Sequence, residues 1–268
     1  MRRIFIALAV LILAVSIAGI ASAAELTQLQ TAQLEAVGQA RSVVSDGSVI
    51  AKIWYTGTGN GAVGVSNNST LILYSDYTQD TAGYTINTAS STYDTVGELV
   101  DYINGSCTDF SANVGPDGYR ALDTDYLLSD DITKGPTSKA KKSIYLDSST
   151  AGYLTCGVEA KTNITPRIRQ YVGSMYAESG LITEQLYDGD TCVWRRDINR
   201  ASWINASSTL ASGNTVTFSS TGDNGVAGTK NTPFVLKVTP SANVLGNCET
   251  SEKTQAVNVS IIYDELQR

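Results

Sequence analysis

Hydrophobic residues that alternate with polar ones are the feature that most restricts the fold of this chain. Successive side chains of a strand point to opposite faces, so a hydrophobic period of two is typical of strands with one buried face. The clearest examples are Val49, Ala51, Ile53 and Tyr55, then Phe234, Leu236 and Val238, then Val257, Val259 and Ile261. A further hairpin is expected from Leu181 to Asp197, with its turn at Asp188-Gly189-Asp190. We therefore predict a mainly β protein made of antiparallel β-sandwich-like domains.

The first 23 residues have the order of a secretory signal peptide. Arg2 and Arg3 precede an apolar run from Ile4 to Ile20, and Ala21-Ser22-Ala23 supplies small residues for cleavage. The run is slightly shorter than the ~20 residues that a membrane-spanning helix needs. We therefore expect cleavage after Ala23, no membrane span in the mature chain, and a secreted, extracellular or cell-surface location.

The segment after the leader predicts a short N-terminal helix. Residues from Glu25 to Arg41 are rich in Ala, Gln, Glu and Leu, and their apolar residues fall near helical spacing. This helix could pack on the domain or extend as an arm onto a neighbour. Thr165-Pro166 is expected to break the chain further on. The predicted organisation is a signal peptide (1–23), a helical arm (24–48), a β-rich domain (49–160) and an all-β C-terminal domain (161–268).

The β-rich domain contains one predicted strand–helix–strand insertion. Thr95 and Glu98 have the spacing of a capping box at the start of a helix. An apolar stripe at helical spacing follows, and Gly105 is expected to end the helix. The stripe consists of Val96, Leu99, Val100 and Ile103. The flanking strands are expected at Gly83–Asn87 and Phe110–Val114.

This segment resembles the "IN" motif of flagellins and hook-associated proteins. The resemblance covers about 30 residues, from Tyr84 to Val114, and includes the Ile103-Asn104 pair at the end of the helix. In that family the motif decorates filament-forming proteins, so the resemblance implies a surface-accessory module and brings no catalytic residues. Flagellins have long terminal coiled-coil helices and no cleaved signal peptide. The chain as a whole is therefore not a flagellin.

The absence of histidine narrows the enzyme classes open to this chain. It removes Ser-His-Asp and Cys-His nucleophile pairs, zinc bound by histidine, and histidine general bases. Carboxylate hydrolysis remains chemically open, but no acidic pair stands out. We therefore predict no enzyme activity, no catalytic residues, no cofactor and no metal site.

One acidic cluster has the oxygen ligands that a calcium site would need. It contains Asp123, Asp125, Asp130 and Asp131, but it lacks the D-x-[DN]-x-[DN]-G spacing of a calcium loop. Lys139, Lys141 and Lys142 follow closely. A solvated acidic loop that pairs with these lysines is the preferred interpretation.

The charge of the mature chain argues against nucleic acid as a partner. Removing Arg2 and Arg3 with the leader leaves 17 basic and 26 acidic side chains, a net charge of −9. Such a surface repels phosphate backbones and anionic lipid heads.

Four cysteines predict a disulfide framework. Cys107, Cys156, Cys192 and Cys248 are an even number and lie too far apart for a Cys-x-x-Cys metal site. In an oxidising compartment they favour two disulfides, and three pairings are possible.

Sequons and aromatic residues provide candidate glycan contacts. Six Asn-x-Ser/Thr sequons are candidate glycosylation sites: Asn67, Asn68, Asn104, Asn163, Asn205 and Asn258. Three tryptophans are candidates for stacking on sugars: Trp54, Trp194 and Trp203.

These features favour a structural function. Export, predicted disulfides and the resemblance to a filament-associated motif suggest a secreted subunit of a surface filament, pilus-like fibre or sheath that self-associates as a homopolymer. The N-terminal arm and the strand from Gln255 to Asp264 are expected to contact neighbouring copies. The alternative is a secreted carbohydrate-binding or adhesive module.

Overall fold

The structure is a computed structural model that describes residues 39–44, 46–76, 81–130, 141–175, 181–199, 214–217, 225–240 and 257–267. These residues form fifteen strands and two short helices. The strands are β1 (Gln39–Val44), β2 (Val49–Tyr55), β3 (Ala62–Ser66), β4 (Thr70–Asp76), β5 (Thr81–Asn87), β6 (Phe110–Val114), β7 (Lys142–Tyr145), β8 (Leu154–Val158), β9 (Ile164–Met175), β10 (Leu181–Asp188), β11 (Thr191–Asn199), β12 (Asn214–Thr217), β13 (Val226–Ala227), β14 (Phe234–Pro240) and β15 (Val257–Gln267). The helices are α1 (Val96–Ser106) and α2 (Ser148–Ala151). Every described strand pair is antiparallel, which confirms the predicted mainly β fold.

Strands β1 and β8–β15 form a two-layered sandwich, called here the C-terminal sandwich. One sheet has the order β1-β15-β9-β12, with β13 also paired to β9, and the other has the order β11-β10-β14-β8. The facing side chains form one apolar core, in which Tyr171, Leu186, Phe234 and Ile261 have no exposed surface. β10 and β11 form the predicted hairpin, turned at Gly189-Asp190.

Strands β2–β7 and α1 form the N-terminal unit. Its two three-stranded sheets have the orders β6-β2-β7 and β3-β4-β5, and α1 packs on β6 and β2. Ile53, Leu71, Leu99 and Ile103 are fully buried between these layers. Val235 of β14 also belongs to this core, so apolar packing is continuous with the C-terminal sandwich.

Helix α1 begins as the sequence predicts but ends later. The Thr95 hydroxyl accepts from the Glu98 N–H at 3.3 Å, which confirms Thr95 as the N-cap. The Glu98 carboxylate reaches back to the Thr95 hydroxyl at 2.9 Å, whereas a full capping box would use the Thr95 N–H. The predicted end at Gly105 is wrong, because the helix continues to Ser106 and the Cys107 N–H donates to the Ile103 carbonyl. Cys107, the C-cap residue, is buried in the core of the N-terminal unit.

The two strands that flank α1 belong to different sheets. β5 pairs with β4, whereas β6 pairs with β2, so the strand–helix–strand segment connects the two sheets of the N-terminal unit. Asn104, near the end of α1, donates to the Ala112 carbonyl and accepts from the Ala112 N–H, both at 2.9 Å. The Asn104 side-chain amide therefore satisfies the Ala112 backbone groups that a neighbouring strand would otherwise pair with.

The predicted N-terminal helix is wrong at its last residues. Gln39–Val44 form β1, which pairs along its length with β15, while the rest of the predicted helix lies outside the described residues. Pairing with a distant strand overrides local helical spacing here. β1, from the predicted arm, and β8, from the predicted first domain, both belong to the C-terminal sandwich. Pro166, expected to break the chain, lies within β9.

A buried carboxylate joins the two units. Asp117 has no exposed side-chain surface and accepts from Arg41 Nε at 3.1 Å and Nη2 at 2.6 Å. It also accepts from the N–H of Val49 at 2.8 Å and of Gly157 at 2.9 Å. Burial raises the pKa of this carboxyl, and the Arg41 guanidinium and the N–H donors oppose that rise. One side chain thus connects β1, β2 and β8.

Asp117 and Ser48 together complete the free edge of β8. The Ser48 hydroxyl donates to the Thr155 carbonyl at 2.7 Å and accepts from the Thr155 N–H at 3.1 Å. Thr155 and Gly157 are alternate residues of β8, so Ser48 and Asp117 satisfy backbone groups that no described strand reaches. An edge that would otherwise be open is closed by side chains.

Glycines allow the backbones to meet at this joint. A Cβ atom on Gly118 would lie 2.2 Å from the Ile50 carbonyl oxygen, and one on Gly157 would lie 2.6 Å from the Pro116 carbonyl oxygen.

An aromatic contact also joins the two units. Tyr119 stacks on Tyr187 of β10 with ring centroids 4.4 Å apart.

Replacing Asp117 should weaken the whole fold. Asp117→Asn removes the ion pair and turns one acceptor into a donor that faces other donors, which should lower the free energy of unfolding by about 3–5 kcal/mol. Urea denaturation followed by circular dichroism measures this change. The matched control is Arg195→Met, which breaks the exposed Arg195–Asp197 pair. It should leave the midpoint almost unchanged, and equal effects of the two variants would contradict a central role for Asp117.

Candidate functional site

The described cysteines do not form the predicted disulfides. Cys107 is buried in the core of the N-terminal unit, Cys156 is buried in the core of the C-terminal sandwich, and Cys192 is exposed on β11. Two disulfides among four cysteines need at least one bond within this group of three, and all three are free. The prediction of two disulfides is therefore wrong, because the fold separates these residues into different layers. Cys248 lies outside the described residues.

Burial also makes two of the thiols unreactive. Desolvation raises the pKa of Cys107 to about 11, and it raises the pKa of Cys156 as well. The thiolate is the reactive form, so both thiols are poor nucleophiles near neutral pH.

The sequons differ in whether the asparagine side chain is available. Asn67 and Asn163 are exposed in turns and have left-handed backbone conformations, with φ of 53° and 63°. The amide nitrogens of Asn68 and Asn104 already donate to Asp147 and to the Ala112 carbonyl. A glycan on either of those would break a structural hydrogen bond. Asn205 and the side chain of Asn258 lie outside the described structure.

The two described tryptophans lie on different units. Trp54 is half-buried on β2, on the face opposite the core, with Ser111 of β6 opposite it in register. The Lys141 ammonium lies 4.5 Å from the centre of its ring. Trp194 lies on β11, with the Arg196 guanidinium 5.8 Å from its ring centre. They do not form one aromatic platform, and Trp203 lies outside the described residues.

The acidic segment is more ordered than a solvated loop. Leu122 and Leu127 are buried, and the Asp125 N–H donates to the Asp123 carboxylate at 2.7 Å. Lys142 forms an ion pair with Asp130, as expected, whereas Asp131 and Lys139 are outside the described part. Among the described residues no group of three or more His, Cys, Asp or Glu side chains could hold a metal ion.

A groove of about 300 Å³ lies where the two units meet. Val100, Asn113 and Arg120 line it from the N-terminal unit, and Glu159 and Pro233 line it from the C-terminal sandwich. Arg120 is paired with Asp101, and Glu159 with Lys52 at 3.0 Å. The charged groups that line this groove therefore already have partners, which makes it a weak site for a charged ligand.

A buried polar cluster links the two sheets of the C-terminal sandwich. The Glu184 carboxylate of β10 is fully buried and accepts from Arg196 Nε at 2.7 Å, and Arg196 Nη2 donates to the Tyr171 hydroxyl of β9 at 2.9 Å. Burial, and then Glu184, raise the pKa of Tyr171. The arrangement satisfies a charge inside the core, so we interpret it as structural. The motif search missed this cluster, although Glu184 takes an apolar position of the alternation, on the buried face of β10 between Ile182 and Leu186.

Strand β5 and the first half of β11 have exposed, uncharged edges. β5 is the last described strand of its sheet, and Ala82, Gly83 and Thr85 are exposed along it. β11 is the last described strand of its sheet, and Cys192 and Val193 are exposed in its first half, Val193 by 46%. Charged residues that commonly block edge-to-edge pairing are absent from β5 and from Thr191–Trp194. We call β5 and the Thr191–Trp194 half of β11 the open edges; the rest of β11 carries Arg195, Arg196 and Asp197.

The sequence matches no protein-family model and no curated protein. Within the described residues, no helix has the length and hydropathy that crossing a membrane requires.

The three described thiols should differ sharply in reactivity. With a thiol reagent at pH 8, Cys192 should be modified within minutes, whereas Cys107 and Cys156 should react only after unfolding in guanidinium. A thiol with a pKa near 11 is only about one-thousandth thiolate at pH 8. Mass spectrometry of the labelled protein measures each site. A disulfide between any two of these three residues would contradict the prediction.

Proposed function

We propose that this chain is an exported structural subunit that self-associates into a surface filament or sheath. The observation that carries the proposal is the pair of open edges, one on each unit. An exposed strand edge can accept another strand through main-chain hydrogen bonds. The signal-peptide pattern and the resemblance of Tyr84–Val114 to a filament-associated motif also support it.

The location of the open edges favours a polymer over a closed dimer. If β5 of one copy pairs with β11 of the next, the first copy keeps its β11 unused and the second keeps its β5 unused. Such a heterologous contact continues into an open assembly unless its rotation closes a ring. Thr85 and Val193 lie on the contacting strands, whereas Asn104 and the Ser48–Asp117 pair cover backbone groups of β6 and β8.

Introducing a charge at an open edge should prevent assembly. Thr85→Lys and Val193→Lys should each reduce the polymer fraction by about tenfold or more, because a lysine in the contact would be buried without a partner. Thr162→Lys is the control, since Thr162 is exposed in the turn between β8 and β9. Sedimentation and negative-stain electron microscopy of the purified mature protein measure the polymer fraction. A wild-type protein that stays monomeric at all concentrations, salts and pH values would refute the proposal.

A second candidate function, saccharide binding, is favoured by the surroundings of Trp54. The outer face of the β6-β2-β7 sheet carries this ring beside Ser111, and Lys52, Asn113 and Ser143 follow in register. An aromatic ring flanked by hydroxyl, amide and ammonium groups suits the apolar face and the hydroxyls of a sugar.

The second candidate is tested with a glycan panel. Trp54→Ala should weaken binding by about tenfold or more, equal to about 1.4 kcal/mol, while Trp194→Ala should not. Equal loss in both variants, or no binding by the wild-type protein, would exclude this face as a saccharide site.

A further inference from the structure

The groove between the two units has the size and the walls of a small-molecule site. Its volume of about 300 Å³ is at the lower end of the range for ligand pockets. Val100 and Val114 line it from the N-terminal unit and Pro233 lines it from the C-terminal sandwich, so much of its wall is apolar. Such a wall suits either a hydrocarbon or the C–H groups of a sugar ring, and the polar groups of the groove distinguish between these two ligands.

One polar group of the groove requires a donor. The side-chain oxygen of Asn113, a residue that lines the groove, is buried and has no hydrogen-bond partner among the described residues. A buried acceptor without a donor is unfavourable. A hydrocarbon would leave this oxygen unsatisfied, whereas a ligand hydroxyl supplies a hydrogen bond as a water molecule does. The groove therefore fits a ligand with polar hydrogens.

The charges that line the groove are balanced. One cation, Arg120, and one anion, Glu159, line it, and each is already in an ion pair. Glu159 bonds Lys52 through Oε2, which leaves Oε1 as an acceptor. Arg120 bonds Asp101 through Nη2, which leaves its other N–H groups as donors. Hydroxyl groups can donate to the carboxylate and accept from the guanidinium without bringing a charge into the groove.

The groove is continuous with the face that carries Trp54. Asn113 of β6 lies opposite Lys52 of β2. One repeat of two residues further along these strands, Ser111 lies opposite Trp54 on the same face. Since a strand rises about 3.4 Å per residue, the two positions are roughly 7 Å apart. A ligand that contacts both the groove and the ring must extend over this distance, which favours a chain of sugar residues over a single sugar.

We propose that the groove binds one residue of an uncharged oligosaccharide while a neighbouring residue of the same oligosaccharide stacks on Trp54. The inference rests on saccharide binding, the second candidate function, and is independent of filament assembly. Hydroxyls of the residue in the groove bond Asn113, Glu159 and Arg120, and its ring lies against the apolar wall. An acidic sugar is disfavoured, because both charged groups that line the groove already have partners.

Blocking the groove from its rim tests the proposal. Ala160 lines the groove and is exposed between β8 and β9, so Ala160→Trp fills the groove without altering the core. Thr162→Trp is the matched control, because Thr162 is exposed in the same connection and is not one of the residues that line the groove. Asn113→Leu removes the acceptor that requires a donor. Melting curves followed by circular dichroism check that each variant is folded.

Binding is measured by isothermal titration calorimetry with glucose, galactose, mannose and N-acetylglucosamine oligomers of one to four residues. For an oligomer that binds the wild-type protein, Ala160→Trp and Asn113→Leu should each lower the affinity by about tenfold or more, and Thr162→Trp by less than about twofold. The affinity should rise by about tenfold or more from one residue to two, because the second contact is then intramolecular. Oligogalacturonate, an acidic oligomer, should bind more weakly.

The outcomes separate the groove from the second candidate function. If Trp54→Ala abolishes binding while both groove variants bind as tightly as the wild-type protein, the groove is refuted and the saccharide site at Trp54 stands. Tighter binding of oligogalacturonate also refutes the inference. Loss of affinity in the groove variants alone would refute the contact with Trp54. If none of these sugars binds the wild-type protein, saccharide binding and the groove are both refuted.

Discussion

The buried Asp117 carboxylate is the interaction on which the arrangement of the two units depends. This single side chain holds β1, β2 and β8 together. Beside it, the backbone of Gly118 lies against that of Ile50 and the backbone of Gly157 against that of Pro116, with no room for a side chain. A buried charge is stable only when its hydrogen-bonding capacity is filled. The two units are therefore held together by the hydrogen bonds that the buried carboxylate needs, as well as by shared apolar packing.

The regular elements were predictable because their signals are local. The alternation at Val49–Tyr55 and Phe234–Val238, and the N-cap signal at Thr95, each specify an element within a few residues. The sheet order was not predictable. β1 has only Val43 buried, and its strand conformation depends on a partner near the other end of the chain. The helical spacing of the residues before β1 gives no sign of its pairing with β15.

The candidate sites likewise combine features that are visible locally in the sequence with features that depend on distant contacts. The sequons and tryptophans were visible as motifs, but their availability depends on tertiary contacts such as that of Asn104 with Ala112. Asp117 had a signal that could have been used, since Gly115-Pro116-Asp117-Gly118 is typical of a tight turn. Its partner Arg41 had none. The cysteine count overestimated the number of disulfides, because it does not show which layer of the fold each thiol occupies.

The pairing of β1 with β15 also constrains the order in which the molecule can be completed. Gln39 is synthesised long before Tyr263, so β1 must wait, unpaired, while nearly all of the chain is made. Contacts between distant segments form slowly, and an unpaired edge is exposed throughout that delay. The N-terminal unit can fold early, but the C-terminal sandwich cannot close before its last strand arrives. The time at which each newly made chain is most open to another copy is therefore set by the position of β15 at the far end of the sequence.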